Sequence, residues 1–326
     1  MLHRLSLRAV GLIVVAAVWG GCARPLLKTP QEAPRGRAAA PLQELWQSPT
    51  DLARRNLYWG PGRAARAPSL DVEYIVLRKD TSGYSAGYDV TGPDGRHWDI
   101  KVGREAQPEV ALSRILWALG YHQPEVYYVT GWRLAGVFED EGAPARFRLQ
   151  SDHESSGEWA WRENPFQTSR ELHGLVAINI LLGNWDFKTS NNRIYRMLDG
   201  RKPLQRYVVQ DLGASLGKPR VFPIPIGTRN DVDDFEQTQL IKQVEDTKVV
   251  LDYRGRHGDL LEQLQAADVL WACTLMNRLT DAQLTEAMRA AGYDEALRRR
   301  FVGKIRSKIQ EGLALRSVVN TSRAAR

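Results

Sequence analysis

The sequence is short of the residues that build covalent and metal-held frameworks. It has two cysteines in 326 residues, Cys22 and Cys273, too few for a disulfide framework or a cysteine-based metal site. Its six histidines are spread along the chain, and no His or Glu cluster accompanies the aspartates that a two-Asp metal hydrolase would use. Internal repeats are absent. The apolar run 9–18 falls well short of the ~20 residues of a membrane-spanning helix. A nucleic-acid charge signature is missing too, although the formal net charge is +7. Residues 1–66 carry +7 and residues 298–326 carry +8, whereas residues 67–297 carry −8. Basic ends on an acidic middle suit an anionic membrane surface or a solvated tail, and no specific nucleic-acid partner.

What is present begins with a stretch that reads as an export signal. Arg4 and Arg8 form a basic n-region, and residues 9–18 form an apolar h-region. Gly20-Gly21-Cys22 follows, and small residues before a cysteine resemble the processing site of bacterial lipoproteins. That resemblance implies lipidation of Cys22, a membrane partner through the lipid anchor and a place in the bacterial cell envelope. Trp19 stands where such sites usually carry Leu, and an uncleaved anchor or a plain secretory signal are the alternative readings. Residues 23–67 are rich in Ala, Arg and Pro and read as a tether, with a short helix expected around Leu45 and Trp46. Cys273 sits in the apolar stretch 269–275 and is expected as a buried core thiol.

The chain is organised around residues 172–211. Residues 171–182 read as an apolar helix, with Thr168 expected as N-cap and Glu171 as its capping-box partner. Gly183-Asn184-Trp185-Asp186-Phe187-Lys188-Thr189-Ser190-Asn191 follows. Residues 193–198 and 205–209 read as two strands around the turn signal Asp199-Gly200, and Gln210-Asp211-Leu212-Gly213 comes next. The hairpin is placed to bring Asp186, Asn191 and Asp211 together. Such a set suits phosphoryl transfer, which needs a carboxylate to orient the attacking hydroxyl, oxygen ligands for magnesium and a cation for developing charge. Asp186 fits the first role, Asn191 and Asp211 the second, and Lys188 the third.

Asp186-x-Lys188-x-x-Asn191 followed by Asp211-x-Gly213 resembles the catalytic and metal-binding loops of the protein-kinase-like superfamily. Asn184-Trp185 replaces the His-Arg of ordinary protein kinases, and Leu212 replaces the usual Phe. These departures point to an atypical branch, such as the HipA-type, spore-coat or secretory-pathway kinases. The resemblance implies an α+β, bilobed protein-kinase-like fold with a small β-rich N-lobe and a helical C-lobe. It also implies ATP as substrate, Mg2+ or Mn2+ as cofactor, and an unknown protein, lipid or glycan acceptor.

The flanking sequence is ordered accordingly. Residues 72–77 and 97–102 read as strands, with a glycine-punctuated hairpin, Gly83 to Gly87, between them. In kinase-like folds a glycine-bearing loop covers the phosphates and a strand Lys reaches them; Gly83, Gly87 and Lys101 occupy those places. Residues 108–119 read as a helix whose Leu112, Ile115, Leu116 and Leu119 form one stripe. Glu109 shares that face and is placed to pair with Lys101, with Glu105 as its competitor. Strands at 126–129 and 145–149 complete the N-lobe. After Gly213 the sequence is irregular, then acidic at residues 231–236, then helical through residues 259–312. The expected organisation is signal 1–22, tether 23–67, N-lobe 68–149, C-lobe 150–316 and tail 317–326. The expected function is a metal-dependent phosphotransferase using a nucleoside triphosphate. Its rival is a catalytically inactive, pseudokinase-like envelope lipoprotein acting as a binding module.

Overall fold

The computed structural model describes residues 41–80, 85–150, 155–220, 226–255 and 257–324. The signal run, Cys22 and Gly83 therefore lie outside the described residues. In chain order the elements are β1 (Leu42–Glu44), β2 (Glu73–Asp80), β3 (Gly87–Thr91), β4 (His97–Val102), α1 (Ala106–Ala118), β5 (Val126–Val129), β6 (Arg133–Leu134) and β7 (Ala145–Leu149). Then come β8 (Ser155–Gly157), α2 (Arg170–Leu181), β9 (Asn192–Asp199), β10 (Lys202–Val209), β11 (Pro219–Arg220), β12 (Ile226–Gly227) and α3 (Val232–Glu236). The remainder is β13 (Ile241–Glu245), β14 (Lys248–Leu251), α4 (Ala266–Asn277), α5 (Asp281–Ala290), α6 (Glu295–Leu313) and α7 (Arg316–Ala324).

The first lobe is a six-stranded sheet in the order β5-β7-β4-β3-β2-β6. Period-two alternation gives its strands two unlike faces. Tyr88, Val90, Trp98, Ile100 and Phe147 fill a core on one face with Tyr74, Trp132 and Leu134. The alternate residues Asp89, Asp99, Lys101, Arg146 and Arg148 line a cavity on the other. Glu109 on α1 comes to that polar face and forms an ion pair with Arg146.

The second lobe is built on α2, which is apolar on nearly every side, as a helix buried all round must be. Leu175, Val176, Ile178, Ile180 and Leu181 are all in the core. Gly174 admits α4: a Cβ there would lie 2.1 Å from the Trp271 ring. The cap of α2 is Ser169, whose Oγ accepts from the Leu172 amide at 3.1 Å. Thr168 is not the cap; Glu171 is thereby one place too early to close a capping box. Gly183, at φ +73°, ends the helix in the left-handed conformation that glycine adopts without strain. Thr280 and Asp294 cap α5 and α6 through their side chains. The architecture is thus the bilobed α+β plan, a β-rich N-lobe followed by a helical C-lobe.

Several local expectations are corrected. Residues 42–44 form β1, paired in parallel with β10, in place of a short helix, because the exposed edge of β10 supplies backbone partners. Leu45, Leu52 and Leu57 are buried in the main core, so residues 41–67 lie on the folded body and are not a free tether. Arg316–Ala324 form α7 where a tail was expected over residues 317–326. Between the strands expected at 126–129 and 145–149 the chain adds the short β6. The acidic run is a solvated structural feature: Asp231 caps α3, and Asp233 and Glu236 pair with Arg300 at 2.5 and 2.6 Å. Cys273 is buried, and burial pushes its thiol up to about 12. Among the described residues no helix is long and apolar enough to cross a membrane.

Candidate active site

Lys101 is the centre of the site. It stands on β4, opposite Gly87 of β3 and Arg146 of β7, and its ammonium meets three carboxylates. Asp211 makes the shortest contact, Glu105 lies at 3.2 Å and Glu109 at 3.6 Å. Burial works against the charged lysine, but the attraction of Glu109, Asp211 and Glu105 outweighs it and holds the group above the ordinary lysine range. Glu109, 2% exposed, also faces Arg146 Nε at 2.9 Å and Arg148 at 3.7 Å. Both Glu109 and its competitor Glu105 therefore reach Lys101.

Asp211 follows β10 with φ +53°, a left-handed conformation that costs a non-glycine residue about 1–3 kcal/mol. That backbone lets the turn after the hairpin double back so that the carboxylate meets Lys101. Burial opposes the Asp211 charge, yet Lys101, with Arg148 and Arg146 behind it, keeps its pKa below the usual carboxylate value. Gly213 brings the same turn against α1: a Cβ there would fall 2.5 Å from Glu105 Cβ. Here the glycine is required by close approach. Gly87, by contrast, is ordinary strand backbone, and a Cβ would make contacts of 3.4 Å at the nearest.

The loop after α2 is held by a chain of amides. Asn179 Nδ2 donates to the Leu175 carbonyl and Asn184 Nδ2 to Asn179 Oδ1, both at 2.9 Å. The Asp186 amide donates to Asn184 Oδ1 at 3.1 Å, and Asn191 Nδ2 donates to the Asp186 carbonyl at 3.1 Å. These contacts fix Asp186 and Asn191 together, and Lys188 Nζ lies 2.6 Å from Asp186 Oδ2. Gln210, next to Asp211, donates from its backbone N–H to the Asn191 carbonyl at 2.8 Å. Lys101, Asp186, Lys188, Asn191, Asp211 and Gly87 all line one cavity of about 340 Å³, within the range of small-molecule sites. Glu109 stands behind Lys101 and is not part of that lining.

Among the described residues no group of three or more His, Cys, Asp or Glu side chains is placed to hold a metal ion by itself. Asn191, whose amide nitrogen is already spent on Asp186, has its amide oxygen left as acceptor, and Asp211 lies across the same cavity. Two oxygen donors beside a phosphate-sized space fit magnesium, which keeps waters and takes its other ligands from phosphates.

Sequence reasoning missed the charged wall behind the lysine. Asp99 pairs with Arg146 at 2.7 Å and also with Arg148. Burial opposes its charge, but the two guanidinium groups hold it well below the usual carboxylate range. Arg229 pairs with Glu105 and stacks 5.0 Å from the Trp185 ring centroid. The signal was there: in residues 97–102 and 145–149, charged positions alternate with apolar ones, the mark of one polar face on each strand.

No family model matches the chain, and no characterised protein matches it in sequence. Among solved structures it is similar to the Helicobacter pylori proinflammatory kinase CtkA, at 11% identity and TM-score 0.49, over 75% of this chain and 96% of that one. It is similar to the Chaetomium thermophilum Rio2 kinase, solved as an ADP/Mg2+-phosphoaspartate complex, at 13% identity and TM-score 0.33, over 81% of this chain and 74% of that one. The kinase domain of maize SIRK1 bound to AMP-PNP overlaps at 12% identity and TM-score 0.22, over 75% and 93%. Likenesses this distant carry no argument about activity. The fold is protein-kinase-like by its own topology: a sheet whose strand lysine meets a helix glutamate, then a helical lobe carrying a loop and hairpin with Asp186, Asn191 and Asp211.

Proposed function

We propose that the protein is a metal-dependent phosphotransferase of an atypical kinase-like branch, using a nucleoside triphosphate such as ATP. One observation carries the reading: Lys101, Asp186, Lys188, Asn191 and Asp211, from three separate stretches of chain, line a single cavity. Asn191 and Asp211 are the residues that would hold Mg2+ or Mn2+. Such an ion supplies positive charge between the donor's phosphates. Lys101, released from part of its carboxylate cluster, steadies the donor's phosphate chain, and Glu109 keeps the lysine in position. Asp186 orients the acceptor hydroxyl and takes up its proton, and Lys188 meets the charge that develops on the transferred group. The acceptor is a protein, lipid or glycan. Cys22, lipidated, would anchor the domain in the bacterial cell envelope.

A second reading is a binding module without turnover, and the direct Lys101–Asp211 contact favours it, because it engages a proposed metal ligand with the protein's own cation. Autophosphorylation with labelled ATP and manganese separates the two. Asp186→Ala is expected to keep donor binding and lose roughly a hundredfold in labelling rate, and Lys188→Ala to lower the rate as well. Equal labelling of wild type and Asp186→Ala overturns the proposed role of Asp186.

A further inference from the structure

Resting on the phosphotransferase reading, we infer that the donor site is blind to the base: it selects a donor by its phosphate chain, so inorganic tripolyphosphate serves as well as a nucleoside triphosphate. The reacting bonds are the same for either donor. The terminal P–O–P linkage breaks, and its electron pair leaves with the bridging oxygen on the remaining diphosphate. The acceptor hydroxyl oxygen forms the new P–O bond, and its proton passes to Asp186.

The register of the N-lobe sheet carries the inference. Its cavity face presents two rows across the strands. Asp80, Gly87, Lys101 and Arg146 form the row over Asp211, and Arg78, Asp89, Asp99 and Arg148 form the next row. The rows lie two residues apart along each strand, so a body attached to phosphates at Lys101 rests on the second. That row is charged at every position. Arg78 pairs with Asp89 at 2.7 Å, and Asp99 binds Arg148. From the other lobe, Arg193 of β9 lines the same cavity.

A nucleobase needs a wall for its face; a stack on an aromatic ring is worth roughly five- to 150-fold in affinity. Among the described lining residues no aromatic ring lies open to supply one. Tyr88 and Ile100 turn their side chains into the core on the far side of the sheet. Trp185 is already covered, by Arg229 on its ring and by Gly227, where a Cβ would fall 2.4 Å from the indole nitrogen. Ala214 is buried. The cavity instead offers guanidinium groups from Arg78 and Arg148, whose present partners are carboxylates, and from Arg193, which donates to Glu158 and to the Ser190 and Asn192 carbonyls; phosphate oxygens match the bidentate geometry of a guanidinium.

The test is calorimetry on the full-length protein in detergent with Mg2+ in excess, titrating ATP, GTP, inorganic tripolyphosphate and adenosine. ATP, GTP and tripolyphosphate are expected to bind within about threefold of one another and adenosine not at all. ATP binding roughly tenfold or more above tripolyphosphate or GTP, or binding of adenosine alone, overturns the inference while leaving the phosphotransferase reading intact. Failure of both ATP and tripolyphosphate to bind overturns that reading, and the inference with it.

Discussion

Lys308 offers a quantitative test of the C-lobe. It lies on α6, 1% exposed, and its Nζ donates to the Leu181 carbonyl at 3.0 Å, in the last turn of α2 before the Asp186 loop. The ammonium also sits 4.3 Å from the Phe235 ring centroid. Burial, reinforced by Lys304, pulls its pKa from 10.5 to about 7 against the opposing pull of Glu311 and Asp252. Because the folded value is depressed, the unfolded chain binds the extra proton between those two values. Stability therefore rises with pH through that window, by at most ~1.4 kcal/mol per pH unit, and the deficit is complete below pH 7. At pH 7 the deficit is roughly 4–5 kcal/mol, and at pH 9 about 2 kcal/mol. Lys308→Met removes the buried ammonium and also the hydrogen bond to Leu181, worth about 1 kcal/mol. The variant is expected to be more stable by roughly 3 kcal/mol at pH 7, the advantage shrinking by about 2 kcal/mol at pH 9. Urea unfolding of both proteins at the two pH values measures this. Titration of the unfolded Cys273 thiol lowers stability above about pH 9 in both, since the folded thiol is pushed up to about 12, and it cancels in the difference. A difference that stays constant or grows with pH would refute the argument.

Two further outcomes follow from the same contacts. Glu109→Gln leaves Arg146 and Lys101 with an uncompensated share of buried charge and is expected to cost about 3–5 kcal/mol in urea unfolding; a loss below about 1 kcal/mol would mean that the network tolerates a neutral partner. Cys22→Ser is expected to move the protein from the membrane to the soluble fraction or to leave it unprocessed, read by fractionation and intact mass; unchanged mass and partitioning would remove the lipid anchor.

The two-lobed order was legible because it rests on local signals. The apolar α2, the turn at Asp199-Gly200 and the alternation in residues 97–102 each fix an element through its own neighbours in sequence. The cluster at Lys101 was half legible. Glu109 and Glu105 were both in reach from helical spacing, but only the fold shows that Asp211, 110 positions away, turns back onto the same ammonium, because its left-handed backbone has no signature in an Asp-Leu-Gly triplet. Asp99, Arg146 and Arg148 were invisible as a unit. Each looks like a solvated strand residue until the register sets β7 beside β4. The same holds for β1, whose three residues gain their conformation from the edge of β10 rather than from their own propensity. The cap of α2 shows the usual limit on boundaries: Thr168 and Ser169 are chemically alike, and sequence places a helix start only to within a residue or two.

The central claim is that Asp211 and Asn191 hold a metal ion for a donor's phosphates beside Lys101. Thermal unfolding of wild type and Asp211→Asn, each with and without Mg2+ and ATP, tests it most directly. At a hundredfold excess over Kd the ligand stabilises the wild type by about 2.7 kcal/mol, so a clear rise in Tm is predicted that requires both Mg2+ and ATP. Asp211→Asn is predicted to remain folded and to show no such rise. A wild type without Mg2+-dependent stabilisation, or a variant that keeps it in full, would contradict the account.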